Sequence, residues 1–173
     1  MKIDRIELRL IRLPLVHFFE TSFGRVYDQE FVLIRVDDGS LFGYGECVAD
    51  RTPYYSSETT ETEWHLLEDY LIPLVLGVEF TDPRDVFPAM KRVRGHNMAK
   101  AGLEMACWDL SAKIAGVPLW QLLGGQGTEI ASGVSVGIQD SLDQLVKKIE
   151  TELAAGYRRI KIKIKPGWDI EAV

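Results

Sequence analysis

Residues 159–165 constrain the fold of this chain more than any other segment: Arg159, Ile160, Lys161, Ile162, Lys163, Ile164 and Lys165 alternate basic with aliphatic at a period of two. That period is a β-strand's, and it sends Lys161, Lys163 and Lys165 to one side and the three isoleucines to the other. The approach to the strand, Leu142 to Gly156, is amphipathic at helical spacing, and a further strand is expected at Ala131 to Ile138. Strand, helix, strand implies parallel pairing, and parallel strands are normally covered on both faces. A row of ammonium groups facing a covered interior is expensive unless chemistry requires it.

Upstream the pattern differs. Ile3 to Leu15, Phe31 to Val36 and Leu41 to Val48 read as strands, the last two joined by a tight turn at Asp37-Asp38-Gly39-Ser40. Together they predict an antiparallel meander, with Pro14 limiting pairing near the end of the first strand. The intervening loop, His17 to Arg25, holds three phenylalanines that have no evident core to enter, which points to a binding role. From Ser57 the period becomes helical. Ser57 or Thr59 can cap a helix through Trp64, Leu67 and Leu71, and Asp82-Pro83 opens a second. Asn97 opens a long third helix that ends near Ala115-Gly116 and is apolar around most of its circumference, so burial between two layers is expected. The architecture changes near Gly124 to Gly127. Residues 1–125 therefore read as a complete α+β domain, and residues 126–173 as one βαβ unit, too small to bury its own faces. A βα barrel needs about 250 residues, so the second part is expected to be the opening of a larger domain cut short at Val173.

Composition excludes several classes of function. The chain of 173 residues has 46% hydrophobic residues and a net charge of −6, enough apolar content for a core and the wrong sign for a general nucleic-acid binder. Cys47 and Cys107 are far apart and form no CxxC pair, so buried free thiols in a reducing, cytoplasmic setting are expected. The N-terminus lacks a signal-peptide pattern, and the run from Leu71 to Val78 is too short to span a bilayer. Gly43-Tyr44-Gly45 lacks the third glycine of a dinucleotide fingerprint, and close backbone packing in a strand explains it better. Glu61 and His65, four apart, read as a solvated helix face rather than a metal site.

The lysines carry the chemistry. Lys161 and Lys163 on one strand face stand about 7 Å apart by strand rise. Each disfavours the other's charge, and burial disfavours both, so one of them could serve as a general base near neutral pH. Spacing alone leaves an equally good alternative, in which the lysines are solvated on an open sheet and guard its edge against pairing.

With these elements in place, the chain resembles the enolase superfamily, muconate-lactonising subgroup. The residues carrying the resemblance are the Ala-rich helix followed by Gly-Val-Pro-Leu-Trp-Gln-Leu-Leu-Gly-Gly (116–125), and Lys161-Ile-Lys163-Ile-Lys165-Pro-Gly-Trp-Asp169. The latter is similar to the branch of o-succinylbenzoate synthases that double as N-acylamino acid racemases. The resemblance implies a capping domain over a modified (β/α) TIM-type barrel. It implies Lys163 as base with Lys161 tuning it, Lys165 at the rim, and a substrate lined by Phe19, Ser22, Phe23, Tyr55 and Ser135. It implies removal of a proton α to a carboxylate, with Mg²⁺ or Mn²⁺ stabilising the enediolate. The products would be o-succinylbenzoate, on the way to menaquinone, or a racemised N-acylamino acid. The metal ligands and the opposing lysine are expected beyond Val173, so these residues alone should be inactive. The partner implied is a small carboxylate, with no nucleic acid and no membrane, and homo-oligomers are usual in the family. Muconate cycloisomerase or dipeptide epimerase activity, and a non-catalytic binding module, stand as alternatives.

Overall fold

The computed structural model describes residues 1–173 apart from Phe23 and Thr128. Three strands, β1 (Arg5–Thr21), β2 (Gly24–Asp37) and β3 (Phe42–Cys47), form a sheet in that order. Strand β3 runs antiparallel to β2, with Val32 opposite Cys47 and Asp37 opposite Phe42. The Asp38 carboxylate accepts the Ser40 and Leu41 N–H groups at 3.0 and 2.8 Å, and Gly39 supplies the positive φ that the turn requires.

A helical block follows. Thr59 caps α1 (Thr60–Leu66) in a capping box with Thr62. The helix widens into a π-turn at Leu67–Leu71 and resumes as α2 (Ile72–Val75), with Pro73 in its first turn, where a missing N–H is tolerated. The Asp82 side chain accepts the Arg84 N–H at 2.8 Å and starts a 3₁₀ turn, Pro83–Asp85, leading into α3 (Val86–Ala89). Helix α4 (Asn97–Ala115) stops at Gly116 with φ 67°, and α5 (Leu119–Leu122) follows. Strand β4 (Val134–Val136), helix α6 (Leu142–Ala154) and strand β5 (Ile160–Ile162) close the order, with Ser141 capping α6. β4 and β5 pair in parallel, in keeping with the strand-helix-strand order.

The chain divides into two compact units, Met1–Leu13 with Glu30–Gln126, and Pro14–Gln29 with Gly127–Val173. The sequence reading keeps all of 1–125 together, whereas here the far half of the β1–β2 hairpin clusters with the βαβ segment.

In the first unit the core joins Ile3, Val32, Ile34, Val36 and Cys47 of the sheet to Leu67, Leu71, Val75, Val86 and Met90 of the helices, and to Ala99, Leu103, Ala106, Cys107 and Leu110 of α4. Glycines let β3 touch α4. A Cβ on Gly45 would lie 2.0 Å from the Gly102 carbonyl oxygen, and one on Gly43 would lie 2.1 Å from that of Ala106. Close backbone approach is thus the reason for Gly43-Tyr44-Gly45. Helix α4 departs from expectation in one respect. One face is buried, but Met105 and Ile114 remain 46% exposed, because α4 buries the face that meets β3 and leaves these two outside it.

Three further expectations need correction. His17 to Arg25 is not a free loop, since β1 continues to Thr21 and β2 begins at Gly24 despite Pro14. The tip gains partners from distant residues, including the Ile138 N–H donated to the Glu20 carbonyl at 3.5 Å, so local breakers do not end the strands. Ala131 to Ile138 is a strand only over Val134–Val136, flanked by Gly133 and Gly137. The lysine strand is shorter than its alternation, ending at Ile162. Beyond it Pro166 lacks an N–H, and the Trp168 N–H returns to the Lys165 carbonyl at 2.9 Å in a turn that uses Gly167 at φ 79°.

Candidate functional site

In the second unit the register of β4 and β5 sets Ser135 opposite Lys161 and Val136 opposite Ile162. Val136 is buried, and its carbonyl accepts the Lys163 N–H at 3.0 Å, so the backbone of Lys163 stays fastened one residue past the end of β5. The three lysines then separate. Lys161 and Ser135 are exposed. Lys163 is half-buried, with its ammonium 3.9 Å from the centroid of the Phe19 ring. Lys165 is half-buried and donates to Glu20 Oε1 at 2.6 Å. The three ammonium groups expected in one row therefore have different surroundings. The hairpin tip contacts Lys163 through Phe19 and Lys165 through Glu20, and each lysine takes a different environment.

Glu20 is the polar centre of this arrangement. It is 8% exposed, and its Oε2 accepts Arg25 Nε at 2.7 Å while Oε1 is held by Lys165. The Lys165 ammonium, followed by the Arg25 guanidinium, holds its carboxyl below the usual carboxylate range, against the opposing effect of burial. Arg25 also donates to Asp140 Oδ1 at 2.5 Å, and its guanidinium stacks 3.8 Å over the Phe18 ring. Asp140 and Glu20 together hold the Arg25 pKa above its ordinary value. Two cations and two carboxylates compensate one another, and among the described residues neither Lys161 nor Lys163 has a carboxylate within 4.0 Å.

Of the residues expected to contact substrate, Phe19 sits on Lys163, and Ser22 is exposed at the hairpin turn. Phe23 lies outside the described residues. Tyr55 belongs to the first unit, where it is 70% exposed in the segment between β3 and α1. Sequence reasoning misses Glu20, Arg25 and Asp140. Their signal is weak: opposite charges on either side of an aromatic tip, with the remaining partners more than a hundred residues away. For Lys165, expected only at the rim, the ion pair adds a partner that spacing cannot name.

A hard divalent cation such as Mg²⁺ needs a set of oxygen donors. Among the described residues no group of three or more His, Cys, Asp or Glu is placed to hold one, so the residues present do not fit such an ion. Glu61 and His65 are exposed on α1, where His65 Nδ1 pairs with Asp69 at 2.8 Å. Among the described residues no helix is long and apolar enough to cross a membrane.

The sequence model for the mandelate racemase / muconate lactonizing enzyme N-terminal domain matches residues 5–124. The chain is 47% identical over 174 residues to an o-succinylbenzoate synthase of Geobacillus kaustophilus, covering 100% of this chain and 46% of that protein. It is 46% identical over 173 residues to an N-succinylamino acid racemase of Thermus thermophilus, covering 100% of this chain and 47% of the other. Among solved structures, the substrate-liganded L-Ala-D/L-Glu epimerase of Bacillus subtilis aligns with a TM-score of 0.85 at 30% identity, covering 95% of this chain and 45% of that one. The chain thus spans about half the length of the curated relatives it matches.

Proposed function

The chain belongs to the mandelate racemase / muconate lactonizing enzyme family, through that family's N-terminal domain, and on this premise we propose that it serves an o-succinylbenzoate synthase or N-acylamino acid racemase. In this reading residues 1–125 form the capping domain and residues 126–173 open a TIM-type barrel. Lys163 takes the proton α to a carboxylate, with Lys161 two residues before it in β5, and Phe19 and Ser22 contribute to the wall around the substrate. Tyr55 and Ser135 are assigned to substrate contact on resemblance alone. One observation supports this reading above the others: Lys163 is anchored through its backbone at the end of a parallel strand while its ammonium meets an aromatic ring. An amine so placed stands against an apolar surface suited to an acyl or cyclohexadiene group.

Enolase superfamily members generally use Mg²⁺, and the ion would supply charge stabilisation for an enediolate. The donor set for it is not found in the described residues. The chain's own contribution is proton transfer at Lys163 Nζ and the exclusion of water by the aromatic tip.

The test is incubation of the full-length protein with Mg²⁺ and N-succinyl amino acids in D₂O. Deuterium should enter at the α-carbon with wild-type protein and not with Lys163→Ala. Absence of both α-exchange and dehydration of the cyclohexadiene precursor would overturn the reading. The similarity to the dipeptide epimerase supports a second reading, and preferential exchange of L-Ala-L-Glu over N-succinyl amino acids would favour it.

A further inference from the structure

The ion-pair cluster at the hairpin tip has a job that proton transfer itself does not assign to it. Glu20 is nearly buried, and both its oxygens are occupied, one by Lys165 and one by Arg25. The neighbouring residue, Phe19, presents its ring to Lys163, two residues before Lys165. Adjacent residues on the tip therefore engage alternate residues just past the end of β5. The Ile138 N–H donated to the Glu20 carbonyl fastens the same stretch to the segment after β4.

We propose that Glu20 is a positioning residue, clasped by Lys165 and Arg25 so that the hairpin tip holds Phe19 against the Lys163 ammonium. The proposal rests on Lys163 being the base. Its geometry gives the third lysine a role distinct from the other two. The Lys165 charge is matched by Glu20 and the Arg25 charge by Glu20 and Asp140, so neither cation competes with Lys163 for an anionic substrate. A side chain at 165 that cannot pair with Glu20 would leave the nearly buried Oε1 without its ammonium, with Arg25 alone on Oε2, and would loosen the tip.

The experiment is a double-mutant cycle in the full-length protein using Glu20→Gln and Lys165→Met, with kcat and KM for α-proton exchange as one readout. Each single substitution should lower kcat/KM about tenfold, chiefly through KM, and the double should be no worse than either single. Glu20→Lys should be worse than Glu20→Gln, and adding Lys165→Glu to it should recover at least threefold. The second readout needs no turnover: chymotryptic cleavage at Phe18 and Phe19 in the native protein should quicken in both singles and slow again in the charge-swapped pair. Strictly additive losses, no recovery on the swap, or unchanged cleavage would overturn the clasp. If wild-type protein exchanges no α-proton, the proposed function fails, and the cleavage pattern alone decides whether the clasp exists.

Discussion

The Lys163 ammonium lies 3.9 Å from the centroid of the Phe19 ring, a lysine after the last strand set face-on to an aromatic from the tip of the first hairpin. Such contacts are worth about 0.5–2 kcal/mol, depending on how far they are removed from water. Phe19→Leu keeps apolar volume and removes the ring. The expected result in the full-length protein is a three- to tenfold rise in KM for a carboxylate substrate, with a melting temperature lowered by no more than a few degrees, while Phe19→Tyr stays near wild type. Steady-state kinetics and a melting curve on the three proteins check this.

Glu63 makes stability depend on pH in a direction opposite to that of most carboxylates. It is fully buried on α1. Among the described residues its Oε1 has no partner, and its Oε2 accepts a long 3.4 Å bond from the Ala49 N–H. Burial, with a smaller push from Glu58, raises its pKa to about 7 despite the Ala49 bond. The folded state therefore holds a proton that the unfolded state releases at ordinary carboxylate pH. Stability falls as pH rises from about 4.5 to about 7, and the penalty is complete above that range. A tenfold difference in proton affinity between the two states corresponds to about 1.4 kcal/mol, so the penalty has a ceiling of about 3 kcal/mol. Glu63→Gln should flatten the decline and stabilise the protein at pH 8 but not at pH 4.5, as read by denaturant melts at the two pH values.

Gly45→Ala should be among the most damaging small substitutions in the first unit. The new methyl would meet the Gly102 carbonyl oxygen at 2.0 Å and the Ala106 nitrogen at 2.8 Å, both main-chain atoms that cannot step aside. Ordinary overpacking costs about 1–3 kcal/mol, and rigid backbone on both sides places this change at or beyond the upper end. Loss of soluble protein, or a melting temperature lowered by at least about 10 °C, is expected.

The N-terminus of α4 is capped from outside its own sequence. Glu58 accepts the Met98 N–H at 3.1 Å and the Ala99 N–H at 3.2 Å, while His96, immediately before the helix, offers no side-chain bond. Glu58→Ala removes both the acceptor and the negative charge favoured at a helix N-terminus, at a cost of about 1–2 kcal/mol. Glu58→Gln should recover about half of that loss in urea melts.

Cys47 and Cys107 are buried, and burial raises both thiols, Cys107 to about 12. The thiolate is the reactive form. Native protein should therefore fail to react with a disulfide reagent over minutes at pH 8, and two thiols should appear at once in guanidinium chloride.

What the sequence determined by itself lies in near-neighbour physics. The Thr59 cap, the Asp82-Pro83 start, the Gly116 stop and the Asp38-Gly39 turn each act through residues within four positions. The order of meander, helical block and parallel βαβ follows from period alone. Tertiary structure decided where strands ended and which lysine met which partner. Pro14 would stop β1 on local grounds, but the chain pairs on to Thr21 because the tip is held by residues beyond 130. Lys161, Lys163 and Lys165 are equivalent in the alternation, and only the chain path brings Phe19 to one, Glu20 to another and neither to the third. Charge pairing acts through space, over a few ångströms, and spacing along the chain carries no record of which distant residues will come that close.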